Sequence, residues 1–214
     1  MGESTRLRLV VLARHAESEL NVRRLVNGDP SRAASLTARG VRQSRLLGVQ
    51  LQDLPLDVCI HTRFARTRQT AEPALASRGV AMIVEPLLDD VDVGVLDGRP
   101  LDEYRAWKRR HRQSDRFPGG ESLDEAALRY ARAFRIIGGR PDRAMLVVCH
   151  EIAIRYALGA LGGADDLDRV GYDVPNAMPF LFSADALIAA ADRLEQPGLA
   201  SRENPRPDLA SLRE

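Results

Sequence analysis

The chain has 214 residues, of which 44% are hydrophobic. This is enough for one large domain that buries about 70% of the surface exposed by the unfolded chain, and it excludes wholesale disorder. The 31 Lys and Arg residues balance 30 Asp and Glu residues, and the resulting net charge of +1 argues against nucleic acid as a partner.

Five short, largely apolar runs predict β-strands, because aliphatic and β-branched residues are typical of strands buried in a sheet. In chain order these runs are residues 7–13, 57–61, 80–84, 144–149 and 178–182. The intervening segments predict helices over residues 36–54, over a polar stretch that ends at Ser77, and over residues 101–111, 122–137 and 152–161. Thr37 is the expected N-cap of the first helix, and Pro55 is expected to end it.

The alternation of strands and helices predicts the fold class. We expect an α/β three-layer sandwich, with a mostly parallel central sheet and helices on both faces. A single domain should span residues 1–195. Residues 196–214 contain three prolines and many charges, and we expect them to form a flexible C-terminal tail.

Cysteine content and hydropathy indicate where the protein works. Cys59 and Cys149 are too few for a disulfide framework or a Cys-rich zinc site. No apolar stretch approaches the ~20 residues that span a bilayer, and the N-terminus lacks the apolar segment of a secretory signal. We therefore expect a soluble cytoplasmic protein with no membrane partner. A homodimer is compatible with the sequence.

Two histidines follow the two clearest strand runs. His15 comes after Arg14 at the end of residues 7–13, and His150 comes directly after residues 144–149. Because ligands of open α/β sheets bind outside the carboxyl ends of the strands, we expect both imidazoles at one pocket. An arginine cluster follows a third strand at residues 63–68, so cationic groups are expected there as well.

The residue types favour phosphoryl transfer over the other chemistries considered. The sequence contains no HExxH or HxH metal motif, no Gly-x-Ser-x-Gly nucleophile elbow and no glycine-rich phosphate loop. Arginine forks bind phosphoryl oxygens bidentately, and fixed cations stabilise the charge of the transition state. A neutral imidazole is a competent covalent nucleophile.

Four segments together resemble the histidine phosphatase superfamily, which includes cofactor-independent phosphatases and phosphoglycerate mutases. Arg14-His15-Ala16-Glu17-Ser18 is similar to the Arg-His-Gly-Glu opening of that family. The other matching segments are Leu36-Thr37 with Gly40 and Gln43, the run from Thr62 to Ala71, and Val147-Val148-Cys149-His150 with Ile154-Arg155. The resemblance implies a phosphoglycerate mutase-like fold and an enzyme that needs no metal or other cofactor.

The resemblance also implies roles for individual residues. His15 would attack phosphorus and become a phosphohistidine, while Arg14, Arg66 and His150 would hold the transferring oxygens. The neighbouring arginines favour the neutral, reactive form of His15 because positive charge lowers the pKa of an imidazole. The residues expected to bind substrate are Asn21, Asn27, Gly28 and Glu151. The expected ligand is a small phosphorylated metabolite.

The sequence offers three aspartates as the proton donor for the leaving group. Residues 88–98 are similar to a Glu-x-x-x-Gly-x-x-x-Gly segment of the family, which places Asp90 at the position of the acid. Aspartate has a shorter side chain than the glutamate of the family, so a backbone shift or a bridging water would have to compensate. Asp89 and Asp92 remain alternatives.

Glu151 stands where the family carries a small residue, usually glycine. A carboxylate here would repel the substrate phosphate unless it points outward or pairs with an arginine such as Arg63. As an outward-facing residue it would stabilise the start of the following helix. Alternatively, it could recognise a hydroxyl or cationic group of the substrate.

The choice between hydrolysis and mutase activity depends on the segment that covers the pocket. Residues 117–122, with the sequence Phe-Pro-Gly-Gly-Glu-Ser, resemble the phosphatase branch, and the interval from Asp90 to Gly120 is short. A mutase must keep water away from the phosphohistidine, so we predict a phosphatase. The alternatives are a phosphoglycerate mutase-type transferase and a catalytically weak member that binds phosphorylated ligands or a partner protein.

Overall fold

The computed structural model describes residues 8–76, 78–163 and 174–196. Five strands form one sheet in the order β3-β2-β4-β1-β5. They are β1 (Leu9–Arg14), β2 (Val58–His61), β3 (Ala81–Val84), β4 (Ala144–Cys149) and β5 (Pro179–Ser183). All neighbouring strands are parallel except β1 and β5, which are antiparallel. The predicted mostly parallel sheet is confirmed.

The helices of the described ranges cover both faces of this sheet. They are α1 (Glu19–Val22), α2 (Ala38–Gln50), α3 (Ala65–Ala74), α4 (Leu101–Arg110), α5 (Leu123–Gly138), α6 (Glu151–Leu161) and α7 (Ala184–Leu194). Val10 and Leu12 of β1 pack in one hydrophobic cluster with buried residues of α5, α6 and α7, whereas Val11 and Ala13 pack in a second cluster with residues of α2 and α3. This alternation follows from the two-residue period of a strand, and it confirms the predicted three-layer sandwich.

The structure differs from the sequence prediction in several helices. The helices α1 and α7 were not predicted, and α3 ends at Ala74, three residues before the predicted end at Ser77. Ser183 caps α7 by accepting a hydrogen bond from the backbone N–H of Ala186, and the helix buries Leu187 and Leu194 on one face. Ser77 and all but the first residue of the predicted tail at 196–214 lie outside the described residues.

No helix in the described parts of the chain is both long enough and apolar enough to cross a membrane.

The strand order brings the carboxyl ends of three strands together. β4 lies between β1 and β2, and all three run in parallel, so their carboxyl ends share one edge of the sheet. The backbone N–H of His15 donates to the carbonyl of Cys149 at 2.9 Å, which extends the β1–β4 ladder by one residue. His15 and His150 therefore leave the sheet side by side.

Candidate active site

His15 is buried at the end of β1, and its ring is fixed by one backbone contact. Nδ1 lies 2.8 Å from the carbonyl oxygen of Ala16. Since a carbonyl can only accept, Nδ1 carries the proton of the neutral ring and Nε2 keeps its lone pair. Burial, together with the charges of Arg66 and Arg14, holds the pKa of His15 well below its usual value. The ring is therefore neutral and nucleophilic at Nε2.

The segment that carries His15 is tied to α3 through a single hydroxyl. The backbone N–H of Ala16 donates to Oγ1 of Thr70 at 2.8 Å, and the same hydroxyl donates to the carbonyl oxygen of Arg66 at 2.7 Å. On the other side, the side-chain amide of Asn176 donates to the carbonyl oxygen of His15 at 2.8 Å. These bonds fix the position of the ring relative to Arg66.

Arg14 presents one edge of its guanidinium to the pocket. Its Nη1 donates to the carbonyl oxygen of Val174 at 2.9 Å and lies 2.8 Å from a carboxylate oxygen of Glu151. Its Nε is buried and has no hydrogen-bond partner within the described residues. A buried donor of this kind needs an acceptor, and a phosphoryl oxygen would supply it.

Arg66, in the first turn of α3, is the most connected cation of the site. Its Nη2 donates to the carboxylate of Asp90 at 2.9 Å, to Nδ1 of His150 at 3.1 Å and to the carbonyl oxygen of Asn27 at 3.1 Å. Its Nη1 donates to Oδ1 of Asn27. The guanidinium also lies 4.2 Å from the ring centre of Phe64. The side chain is almost completely buried, so its position is fixed before any ligand binds.

His150 has the opposite proton arrangement to His15. Its Nδ1 accepts from Arg66, so Nε2 carries the proton and donates to Oγ1 of Thr62 at 3.0 Å. The two imidazole ring centres are 5.5 Å apart. Burial and the charge of Arg66 hold the pKa of His150 well below its usual value. The second histidine is therefore also neutral.

Asp90 lies against both Arg66 and His150. Its carboxylate is 2.9 Å from Arg66 and 3.4 Å from Nδ1 of His150, and the side chain is 25% exposed. Burial raises the pKa of Asp90 above its usual value, although the charge of Arg66 opposes this effect. A carboxyl group with a raised pKa is suited to donating a proton.

The two alternative acids lie elsewhere. Asp89 directs its carboxylate to Arg63, accepting from the backbone N–H at 2.9 Å and from Nε at 2.5 Å. Asp92 accepts from the backbone N–H of Gly94 and lines a second cavity. Neither residue lines the cavity that contains His15. The geometry therefore favours Asp90 among the three candidates.

Glu151 pairs with a different arginine from the one suggested by the sequence. Its carboxylate lies 2.8 Å from Arg14 and 3.4 Å from Arg155, the residue one turn later in α6. The suggested pair with Arg63 is wrong, because Arg63 is engaged by Asp89 next to it in space. The side chain of Glu151 is 38% exposed and lines the cavity, so it does not point away from the site.

The remaining expected substrate-binding residues also line the cavity, but their groups are partly engaged. Oδ1 of Asn21 accepts from Ser18 in the capping box of α1. The side chain of Asn27 is bonded to Arg66 and to the carbonyl oxygen of Asp29. A Cβ on Gly28 would lie 2.3 Å from the carbonyl oxygen of Val91, so glycine permits close packing against the segment that carries Asp90.

Of the nine site residues predicted from the sequence, eight line one cavity. The exception is His150, which is buried and contacts Arg66 and Asp90. The cavity has a volume of about 350 Å³. Residues of α4 form part of its wall, including Tyr104, Arg105 and Lys108. Within the described ranges, no group of three or more His, Cys, Asp or Glu is arranged to hold a metal ion.

Sequence reasoning missed the residues that hold this arrangement together. Gln43 and Gln69 accept from the backbone N–H groups of Glu17 and Leu36 at 2.9 and 3.0 Å, and Thr70 accepts from Ala16 as described above. All three belong to the quoted motifs. Their presence in the motifs indicated that these residues matter. The backbone groups that they bind are distant in the sequence, so the sequence alone could not identify those partners.

Comparisons with known proteins agree on one family. A family model described as "Histidine phosphatase superfamily (branch 1)" matches residues 10–178. A protein of Photorhabdus laumondii named "Probable phosphoglycerate mutase GpmB" is 33% identical over 166 residues, which cover 72% of this chain and 74% of that protein. A protein of the same name from Erwinia tasmaniensis is 29% identical over 200 residues, covering 90% of this chain and 88% of that protein.

Solved structures share the fold. The alpha-ribazole phosphatase from Shigella flexneri matches with a TM-score of 0.71 and 23% identity, covering 81% of this chain and 89% of that chain. A mycobacterial glucosyl-3-phosphoglycerate phosphatase matches with a TM-score of 0.60 and 21% identity, covering 73% and 80% of the two chains. At these identities the likeness concerns the fold alone.

Proposed function

The chain belongs to the histidine phosphatase superfamily, as its four motifs predicted, and on this premise we propose that it hydrolyses small phosphomonoesters without a metal ion. The observation that carries the proposal is the state of His15. Its ring is neutral, its Nδ1 is fixed on a backbone carbonyl, and it shares one site with two arginines and a second histidine.

In the first step, Nε2 of His15 attacks phosphorus, and the bond from phosphorus to the ester oxygen breaks. Arg14 and Arg66 bind the equatorial oxygens, and each charge-assisted hydrogen bond contributes about 1.5–3 kcal/mol. Asp90 gives its proton to the departing oxygen, which leaves as an alcohol. The result is a phosphohistidine and an Asp90 carboxylate.

In the second step, a water molecule attacks the phosphohistidine. The Asp90 carboxylate accepts a proton from this water, the bond from phosphorus to Nε2 breaks, and inorganic phosphate leaves. His15 is again neutral and Asp90 again protonated, so protons balance over the cycle. The carboxyl group of Asp90 serves first as an acid and then as a base. Its pKa must therefore lie near the working pH, so that it can both give and accept a proton.

The cover over the cavity supports hydrolysis over mutase activity. The helix α4 contains no buried residue, and the rings of Tyr104 and Trp107 lie against Phe117 at 5.5 and 4.1 Å between ring centres. Among the described residues, the wall formed by α4 is partly exposed, which supports access of water to the intermediate. The names of the phosphatase structures agree with this proposal, and the names of the mutase relatives keep isomerisation as the competing activity.

The test uses an aryl phosphate in excess EDTA. We expect turnover by the wild-type protein, loss of activity in His15→Ala, and an intact mass increased by one phosphoryl group when the wild-type reaction is quenched. His111→Ala is the matched control because His111 is exposed and lies outside the cavity. Loss of activity on chelation, or full activity in His15→Ala, would overturn the proposal.

The same protein samples distinguish the two alternatives. Faster isomerisation than hydrolysis of phosphoglycerate would identify a mutase. Saturable binding of inorganic phosphate without turnover of any substrate in a panel would identify a binding protein.

A further inference from the structure

We propose that Arg129 is a positioning residue for proton transfer, and that it acts by holding the loop that presents Asp90. The inference rests on the proposed function, because it assigns Arg129 to the step in which Asp90 protonates the leaving group. Arg129 does not line the cavity that contains His15. It contacts instead the backbone of the loop that carries Asp90.

Arg129 lies in the second turn of α5 and binds three carbonyl groups of the loop. Nη1 donates to the carbonyl oxygens of Leu87 and Asp89, both at 2.9 Å, and Nη2 donates to that of Asp90 at 3.3 Å. The hydroxyl of Tyr130, the next residue of α5, also donates to the carbonyl oxygen of Asp89 at 3.1 Å. These bonds leave the carboxylate of Asp90 free to face Arg66 and His150.

Glu121 completes the arrangement as the counter-ion of Arg129. Its carboxylate accepts from Nη2 at 2.5 Å and from Nε at 3.1 Å, a two-point contact that fixes the plane of the guanidinium. The side chains are 20% and 16% exposed, so the loss of either partner would leave a poorly solvated charge. Glu121 also exchanges hydrogen bonds with the backbone of Asp92, at 3.0 and 2.9 Å.

Two glycines allow this contact between distant segments. A Cβ on Gly94 would lie 2.1 Å from the carbonyl oxygen of Pro118, and a Cβ on Gly120 would lie 2.2 Å from that of Asp92. The loop after Asp90 and the Pro-Gly-Gly turn can therefore approach backbone to backbone. This contact gives the Pro-Gly-Gly-Glu-Ser motif a physical role, because the turn delivers Glu121 to Arg129.

The test compares two leaving groups. Nitrophenolate leaves without a proton, whereas an alkoxide needs one, and general acid catalysis contributes about 100-fold or more to such a step. We expect Arg129→Met to lower kcat for glycerol phosphate about 100-fold and to change kcat for nitrophenyl phosphate about threefold or less. Arg129→Lys keeps the charge but cannot reach three carbonyls, so it should show an intermediate loss with the same selectivity.

Three controls separate positioning from general damage. Arg132→Met alters an exposed arginine of the same helix and should leave both rates unchanged. The double variant Arg129→Met/Asp90→Asn should be no slower on glycerol phosphate than Asp90→Asn alone, because both changes remove the same proton donor. If Arg129→Met does not fold, Glu121→Gln replaces it, with a smaller loss expected in the same selective pattern.

Equal losses on both leaving groups, or additive losses in the double variant, would overturn the inference. Failure of the proposed function is distinguishable, because the wild-type protein would then hydrolyse neither substrate. A failure of this inference alone leaves wild-type hydrolysis intact.

Discussion

The two buried histidines carry their protons on different ring nitrogens. The carbonyl oxygen of Ala16 holds the proton of His15 on Nδ1, and Arg66 forces the proton of His150 onto Nε2. Nε2 of His15 thus keeps a lone pair for nucleophilic attack, whereas Nδ1 of His150 accepts a hydrogen bond from Arg66. A bound phosphoryl group would compete for Arg66 and allow His150 to take up a proton, because an added anion raises the pKa of an imidazole.

The pKa values of His15 and Asp90 predict the pH dependence of kcat/KM. On the acid side, activity falls as His15 gains a proton, and its lowered pKa moves this limb to lower pH than an ordinary imidazole would give. On the alkaline side, alkyl phosphate hydrolysis falls as Asp90 loses its proton, and its raised pKa moves this limb upward. We expect an optimum on the acidic side of neutrality, measured with glycerol phosphate.

Asp90→Asn and the choice of substrate check the assignment of the alkaline limb. The variant should lose this limb, and nitrophenyl phosphate should show a shallower one with the wild-type protein, because its leaving group needs no proton. An alkaline limb of the same shape in Asp90→Asn would rule out Asp90 as the titrating group.

At the scale of elements, a side chain of α3 fixes the segment that carries His15 after β1. This side chain is Thr70, whose hydroxyl joins the N–H of Ala16 after β1 to the carbonyl of Arg66 in α3. His15 and Arg66, two of the residues that the proposal places against the phosphoryl group, are thereby fixed to one another.

Thr70→Val keeps the shape of this side chain and removes the hydroxyl. The N–H of Ala16 would then be buried without an acceptor, so we expect a loss of about 1–3 kcal/mol in the free energy of unfolding. We also expect weaker phosphate binding, measured as the inhibition constant of inorganic phosphate. Thr70→Ser keeps the hydroxyl and should retain both properties, and an equal effect of the two substitutions would contradict this role of the hydroxyl.

The elements also show what the sequence can and cannot predict. The strand β4 was predicted over the observed range, because residues 144–149 form an unbroken apolar run. Thr37, the predicted N-cap of the first long helix, is the observed cap of α2. The antiparallel direction of β5 could not be predicted, because it depends on how the chain returns to β1. The helix α7 was missed although Leu187, Ala190 and Leu194 show the helical spacing of a buried face.

The sequence predicted the site residues that belong to motifs. It did not predict which side chains pair with each other, because those pairs join residues that are far apart in sequence. The motifs pointed to His15, Arg66 and His150, which the structure brings together. The sequence left Asp89, Asp90 and Asp92 open, because the choice depends on which carboxylate Arg63 and Arg66 engage. Such pairing depends on side-chain positions in three dimensions, as does the contact of Glu151 with Arg14.

At the scale of the whole molecule, the site draws on segments that are far apart in sequence. Arg14 ends β1, Arg66 lies in α3, Asp90 lies in the loop after β3, and Glu151 begins α6 after β4. A ligand that contacts all four segments binds only the folded chain. Ligand binding must therefore stabilise the fold as a whole.

This linkage predicts the effect of a phosphate analogue such as vanadate on thermal unfolding. At about 100 times its dissociation constant, a ligand adds about 2.7 kcal/mol to the free energy of unfolding. For a domain of this size that gain raises the Tm by roughly 5–10 °C. The measurement is a thermal scan with and without vanadate at fixed protein concentration.

Two arginines of α3 make the prediction specific. Arg66→Ala should abolish the vanadate-induced shift and lower the starting Tm, because it removes a buried partner of Asp90. Arg68→Ala removes an exposed arginine that pairs only with Glu72 among the described residues, so it should keep the full shift. The comparison rests on the shift and not on the starting Tm, since the two substitutions affect stability differently. A full vanadate shift in Arg66→Ala would mean that the anion binds elsewhere, and the proposed phosphate site would then be wrong.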